Sequence, residues 1–175
     1  SLSLPRQRIS LDEDPHLADL ASLVFSIQNH DFIGNHPLGQ RLHTLTSHDA
    51  HRSAATLLLL YPAIPMLFMG EEFASPHPFY FFVDYNDPDM REAVERGRRA
   101  EYPQHGWSDG ASPLSPTAFQ ASKIGLAADG NAQTLAWYQR IIALRKEWRE
   151  LGLVTADTLH SEWLTDQQTA VLPYR

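Results

Sequence analysis

The chain contains no cysteine, which excludes disulfides and thiolate-held metals and makes the cytoplasm the expected compartment. Long apolar runs are also missing. The densest, Leu57-Leu58-Leu59-Leu60, falls far short of the roughly 20 residues a helix needs to cross a bilayer. No membrane partner is therefore expected. The amino terminus has no basic segment followed by an apolar stretch, so no secretory signal is read there. It begins at Ser1 rather than methionine, and a processed chain or a piece of a longer one is expected. Basic residues are outnumbered, with 14 Lys and Arg against 21 Asp and Glu, for a net charge of −7. That disfavours nucleic acid, whose phosphates need a basic face. Arg96, Arg98 and Arg99 cluster, but Glu92, Glu95 and Glu101 surround them, which reads as a solvated, salt-bridged helix surface.

What is present suits one globular domain or a large piece of one: 175 residues, 43% hydrophobic and 20% charged. Residues 1–22 are polar, with Pro5 and Pro15, and read as a lead-in. Leu23-Val24-Phe25-Ser26-Ile27 is an apolar run without in-out alternation, the pattern of a strand covered on both faces. A long polar loop is expected from Gln28 to Ser47, and loops of that length are usually functional. Thr46 with Asp49 suggests a helix start. Ala50, Ala54, Leu57, Leu58 and Tyr61 then form an apolar stripe, ended by Pro62. Ile64-Pro65-Met66-Leu67-Phe68-Met69 reads as a second buried strand, closed by Gly70. Strand, helix and strand in this order predict a βαβ unit with parallel strands and an α/β fold.

Residues 70–133 read as a long irregular loop holding the aromatic block Phe79 to Phe82 and one helix, capped by Asp87 with Pro88 in its first turn. Pro103 to Pro116 is turn-rich. The strongest predicted helix puts Trp137, Ile141, Leu144, Trp148 and Leu151 on one face and ends at Gly152. Residues 162–174 suit a hairpin around Asp166-Gln167-Gln168.

The chemistry concentrates at Gln28-Asn29-His30-Asp31, directly after the first strand. Parallel α/β sheets bind ligands at the carboxyl ends of their strands. An ionised Asp accepts hydrogen bonds from hydroxyls and favours positive charge forming nearby. The same residues also suit a local turn in which Asn29 and Asp31 cap the backbone. The residues alone leave both readings open.

The wider context carries a resemblance. Phe25-Ser26-Ile27-Gln28-Asn29-His30-Asp31, followed by Gly34-Asn35 and Gly39-Gln40-Arg41-Leu42, resembles the seventh-strand region of the α-amylase family of glycoside hydrolases. Leu67-Phe68-Met69-Gly70-Glu71-Glu72-Phe73 resembles the family's eighth strand and its exit. Pro78-Phe79, Phe82-Val83-Asp84, Trp137-Tyr138 and Ile142-Ala143-Leu144-Arg145 resemble one subgroup, which releases trehalose from maltooligosyltrehalose. The likeness covers the chain from Val24 to about Arg149.

This resemblance implies a (β/α)8 TIM barrel that cleaves α-glucosidic bonds with retention. Residues 23–152 would be its carboxyl-terminal part, with strands seven and eight and their helices, and 153–175 the start of a β-rich domain. Asp31 matches the family's third catalytic carboxylate, which stabilises the transition state, and His30 matches the sugar-binding histidine beside it; Asn29 is the third expected substrate contact. The expected partner is an α-glucan oligosaccharide, with no metal or organic cofactor. The segments carrying the nucleophile and the acid/base Glu are absent, and Val83-Asp84-Tyr85-Asn86 only echoes the first-strand motif. The piece alone is therefore expected to be inactive and, with open strand edges, to self-associate. Another α-amylase-family enzyme (an amylase or a branching enzyme) and a non-catalytic carbohydrate-binding or structural piece are the alternatives.

Three other features have competing readings. Glu71 and Glu72 point apart in extended structure, which favours a structural role over a catalytic pair. His48, Asp49 and His51 suggest a metal site but read better as helix-start surface residues. Phe79 to Phe82 with Tyr85 are expected to be mostly core, with one ring at the substrate edge.

Overall fold

The structure is a computed structural model that describes residues 20–101, 110–155 and 158, with the backbone of Glu162–Leu164 and Thr169–Val171. The lead-in up to residue 19, part of the turn-rich segment (102–109) and the predicted hairpin turn lie outside the described residues. The parallel βαβ unit is present. Strands β1 (Val24–Phe25) and β2 (Ile64–Pro65) pair in parallel, Val24 with Ile64 and Phe25 with Pro65. Ile64 donates to the Leu23 carbonyl at 2.8 Å and Met66 to that of Phe25 at 2.7 Å. Both strands are shorter than the apolar runs predict. β1 is also exposed, not covered on both faces, because among the described residues only β2 lies beside it.

The predicted loop between them holds two short helices, α1 (His30–Gly34) and α2 (Leu42–Leu45). α1 is capped by the Asn29 side chain, and the Leu42 N–H at the start of α2 donates to Gln28 Oε1, so the stretch is polar without being irregular. Helix α3 (His48–Leu60) follows, and its N-cap is Ser47, whose hydroxyl accepts from the Ala50 N–H. The Thr46–Asp49 expectation was one residue early, since Thr46 closes α2. Tyr61 ends α3 before Pro62, as predicted.

Helix α4 (Pro88–Glu101) starts at Asp87, which caps the Asp89 N–H at 2.9 Å. The stretch taken as irregular contains a further helix, α5 (Pro116–Ala121), capped by Ser115. Helix α6 (Ala132–Glu150) is capped by Asn131. Beyond it, Gly152 takes φ +71°, a conformation that closes helices and favours glycine. Strands β3 (Glu162–Leu164) and β4 (Thr169–Val171) form the expected antiparallel pair.

The core lies between α3 and α6, where Ala55, Leu59 and Tyr138 are buried among Ile27, Leu67, Trp137, Ile141 and Ile142. Both predicted stripes are off by a fraction of a turn. α3 buries His51, Ala55, Leu58 and Leu59 and leaves Leu57 half exposed. α6 buries Thr134, Tyr138 and Arg145, and Leu151 is exposed. The reason is chemical: polar side chains occupy this interface, Tyr138 and Arg145 hydrogen-bonded inside it, and an apolar stripe cannot register them. Arg145 shows the principle, with its guanidinium donating to the carbonyls of Leu59, Tyr61 and Ala63 at 2.6–2.7 Å. Leu59 lies in the last turn of α3, whose carbonyls lack intrahelical partners, Tyr61 is its C-cap, and Ala63 lies just before β2.

One apolar surface stays open. Phe25, Ile27, Ala54, Leu57, Leu58 and Tyr61 line a groove of about 290 Å³ between β1 and α3.

Candidate functional site

The backbone leaving β1 turns into α1 at Asn29, which is extended at φ −150° and ψ −178°. Its side-chain oxygen accepts from the Phe32 N–H at 3.0 Å, so Asn29 is an N-cap. That cap puts His30 and Asp31 in the first turn, just beyond the carboxyl end of β1. Their side chains are 68% and 72% exposed, and His30 Nε2 lies 3.2 Å from Asp31 Oδ1. The turn reading is thus correct for Asn29, and the same turn presents an imidazole and a carboxylate to solvent as a pair.

Beneath this pair lies a buried polar cluster. Gln28 is 2% exposed and Glu71 wholly buried. Gln28 Nε2 donates to Glu71 Oε2 at 2.9 Å, and its Oε1 accepts from the Leu42 N–H at 3.0 Å. Tyr138 donates to Glu71 Oε1 at 3.0 Å, and its hydroxyl lies 3.3 Å from His51 Nε2. Burial pushes the Glu71 carboxyl above its ordinary range, although its hydrogen bonds to Gln28 and Tyr138 oppose the shift. Burial likewise pushes the Tyr138 phenol far up, with the Glu71 charge adding to it. Desolvation holds His51 below its ordinary value. His43, whose ring centroid is 5.9 Å from that of His51, is lowered to about 4 by burial and by His51 and Arg41. Both imidazoles are therefore neutral near pH 7. His51 is buried, not a surface residue as its place near the helix start suggested. Among the described residues no group of three His, Asp or Glu could hold a metal ion.

A second set of contacts ties the loop after α1 to the aromatic block. Arg41, 1% exposed, donates from Nε to the His77 carbonyl and from Nη1 to that of Met69, at 2.7 and 2.8 Å. Gly39 has φ +57°, and a Cβ there would come within 2.8 Å of the Phe79 carbonyl oxygen. Only glycine admits this approach, which the Phe79 N–H uses to reach the Gly39 carbonyl at 2.9 Å. The aromatic rings form an edge-to-face series, Phe68 to Phe79 to Phe82 to Phe119, with centroids 5.1–6.1 Å apart. Phe81, Phe82 and Tyr85 keep exposed faces.

The arginine cluster of α4 is only partly a solvated surface. Arg96 pairs with Glu92 at 3.0 Å, both well exposed. Arg98 turns inward, donating to Asn35 Oδ1 at 2.6 Å and to the Gly34 carbonyl at 2.8 Å, with its guanidinium 4.5 Å from the Phe81 ring centre. Sequence reasoning missed Arg41, Arg98 and Tyr138. The sequence carries a signal for the last, since Tyr138 adjoins Trp137 on the apolar side of the helix.

No protein-family model matches the chain. Curated relatives do. The malto-oligosyltrehalose trehalohydrolase of Saccharolobus solfataricus is 38% identical over 151 residues, covering 84% of this chain and 25% of that protein. That of Deinococcus radiodurans is 40% identical over 135 residues, covering 72% and 22%, and that of Mycobacterium tuberculosis H37Rv is 32% identical over 148 residues, covering 82% and 26%. A solved Salmonella typhimurium structure, described as an α-amylase, superposes with a TM-score of 0.70 at 32% identity, over 84% of this chain and 26% of that one. The resemblance read from the sequence is borne out, and the neighbour's fold agrees with a partial barrel. The chain spans about a quarter of the length of the relatives it matches.

Proposed function

We propose that this chain is the carboxyl-terminal part of the catalytic barrel of an α-amylase-family glycoside hydrolase. The complete enzyme would hydrolyse the α-1,4-glucosidic bond next to the terminal trehalose of maltooligosyltrehalose. In this reading β1 and β2 are strands seven and eight, residues 70–133 the long loop after strand eight, and 153–175 the start of a β domain. The observation that supports it most is the exposed His30–Asp31 pair just beyond β1, in a chain whose curated relatives are trehalohydrolases. The open groove between β1 and α3 also fits a barrel continued by polypeptide outside the chain. Left uncovered, that groove and the bare strand edge favour self-association.

The chemistry follows from the pair. Retaining hydrolysis needs a nucleophilic carboxylate and an acid/base carboxylate on either side of the bond; in this reading both come from the preceding strands. Asp31 is the third carboxylate. It accepts sugar hydroxyls and stabilises the positive charge that forms at the ring in the transition state. His30 holds a hydroxyl alongside it. Asn29 sets the start of α1 with its oxygen and has its amide N–H groups to offer the sugar. Covering the pair with substrate removes water and strengthens these interactions.

The likeness to the Salmonella structure favours a general amylase as the second reading. Product analysis separates the two. The chain, expressed with the coding sequence that precedes Ser1 in frame, is expected to release trehalose from maltooligosyltrehalose, and the isolated chain is not. Maltose-type products without trehalose would favour the amylase. An unrelated upstream sequence, or no glucan cleavage, would sink both.

A further inference from the structure

Gln28 immediately precedes Asn29-His30-Asp31, and both ends of its amide are held. Its Nε2 donates to Glu71 Oε2 and its Oε1 accepts from the Leu42 N–H. Glu71 is anchored in turn by the Tyr138 hydroxyl. Four stretches therefore converge here: the exit of β1, the start of α2, the turn after β2 and the middle of α6. Glutamine suits the position because one planar group carries both a donor and an acceptor. A carboxylate there would face Glu71 with like charge. A hydrocarbon would leave a buried Glu71 oxygen and the Leu42 N–H without partners.

We infer that Gln28 and Glu71 are positioning residues for Asp31. This rests on the role of Asp31 proposed above. The clamp fixes the direction in which the backbone leaves β1, and so aims the turn that carries His30 and Asp31. Helix α1 has only five residues, too few to hold its own orientation in water. Buried Ile33 and the Arg98 hydrogen bonds to Gly34 and Asn35 hold the far end of α1; the Asn29 cap shapes the near end, where His30 and Asp31 sit, and Gln28 ties that end to the core. Aim matters because misplacing a catalytic group by about 1 Å can lower a rate by roughly a hundredfold.

Two measurements test this. The first uses the 175-residue chain and needs no catalytic assumption. Backbone order parameters at His30 and Asp31 should be near 0.85, as in rigid structure, and fall below about 0.6 in Gln28→Met, while α6 is unchanged. The second uses the complete enzyme. Gln28→Met should lower kcat by roughly ten- to a hundredfold and leave KM within about twofold, the signature of a lost transition-state interaction. Glu71→Leu should act in the same direction, and Glu71→Gln, which keeps an acceptor for Gln28, should leave kcat within about threefold. If Gln28→Met does not fold, Gln28→Asn serves both readouts, being one methylene too short to reach both partners. Unchanged order at His30 and Asp31, an unchanged kcat, or a rise in KM alone would overturn the inference. An Asp31→Asn enzyme that keeps its activity would overturn the proposed function instead.

Discussion

Tyr138 donates its phenolic hydrogen to Glu71 at 3.0 Å, joining the middle of α6 to the turn after β2 across 67 residues. Because that hydrogen goes to the carboxylate, the 3.3 Å contact with His51 is satisfied by an Nε2–H donating to the phenolic oxygen. His51 thus donates to Tyr138 and Tyr138 to Glu71, whose carboxylate also accepts from Gln28 on its other oxygen. Tyr138→Phe removes the middle link and leaves two buried groups short of a partner. It should lower stability by about 1–3 kcal/mol, measured by chemical denaturation. An unchanged unfolding midpoint would show that the link contributes nothing.

Glu71 gives this cluster a pH dependence. Its folded-state value is raised, chiefly by burial, so the folded protein favours the protonated carboxyl. The associated stability is fully present below the unfolded carboxyl's range and is lost as pH rises through the raised value. Glu71→Gln removes that loss. The difference in unfolding temperature between Glu71→Gln and the original chain should therefore move in the variant's favour as pH rises from about 4.5 towards neutrality. A constant difference would mean that Glu71 titrates normally.

His43 works in the opposite sense. Its value is depressed to about 4 by burial and by its neighbours His51 and Arg41, so the folded state excludes a proton that the unfolded chain accepts. The stability this contributes is present above the ordinary value of 6.5 and is lost as pH falls from there through about 4. His43→Gln should flatten the decline in unfolding temperature across that window. Parallel curves for the two proteins would contradict the assignment.

Arg145 offers a further structural test. It holds three carbonyls at and just beyond the end of α3, where its charge also complements the helix dipole. Arg145→Met leaves these acceptors buried and should lower stability by about 3 kcal/mol, with Arg145→Lys intermediate because an ammonium cannot reproduce the fork. Denaturant titration of the three proteins checks this order.

The helix ends, the parallel βαβ order and the carboxyl-terminal strand pair were legible because prolines, caps and apolar runs act locally. Asp87 with Pro88, Tyr61 before Pro62, and Gly152 each decide a boundary with little help from the rest of the fold. The buried faces of α3 and α6 were not legible in this way. They meet through His51, Thr134, Tyr138 and Arg145, whose burial depends on partners tens of residues away. Asn29-His30-Asp31 stood out through its residue types and the motifs around it. The clamp behind it did not, since Gln28 and Glu71 gain meaning only once folding brings them to 2.9 Å. The two strand residues Val24 and Phe25 carry an apolar pattern suited to burial yet stay exposed, Phe25 being covered only in part by the edge-to-face ring of Tyr61.

In the proposed reading, Asp31 stabilises the transition state of a glycoside hydrolase completed by upstream polypeptide. Its most direct test is the rate of trehalose release from maltooligosyltrehalose by the complete enzyme carrying Asp31→Asn. The expected result is a fall in kcat on the order of 10²–10³-fold or more, with little change in KM and an unchanged unfolding temperature. A kcat within tenfold of the original would contradict it.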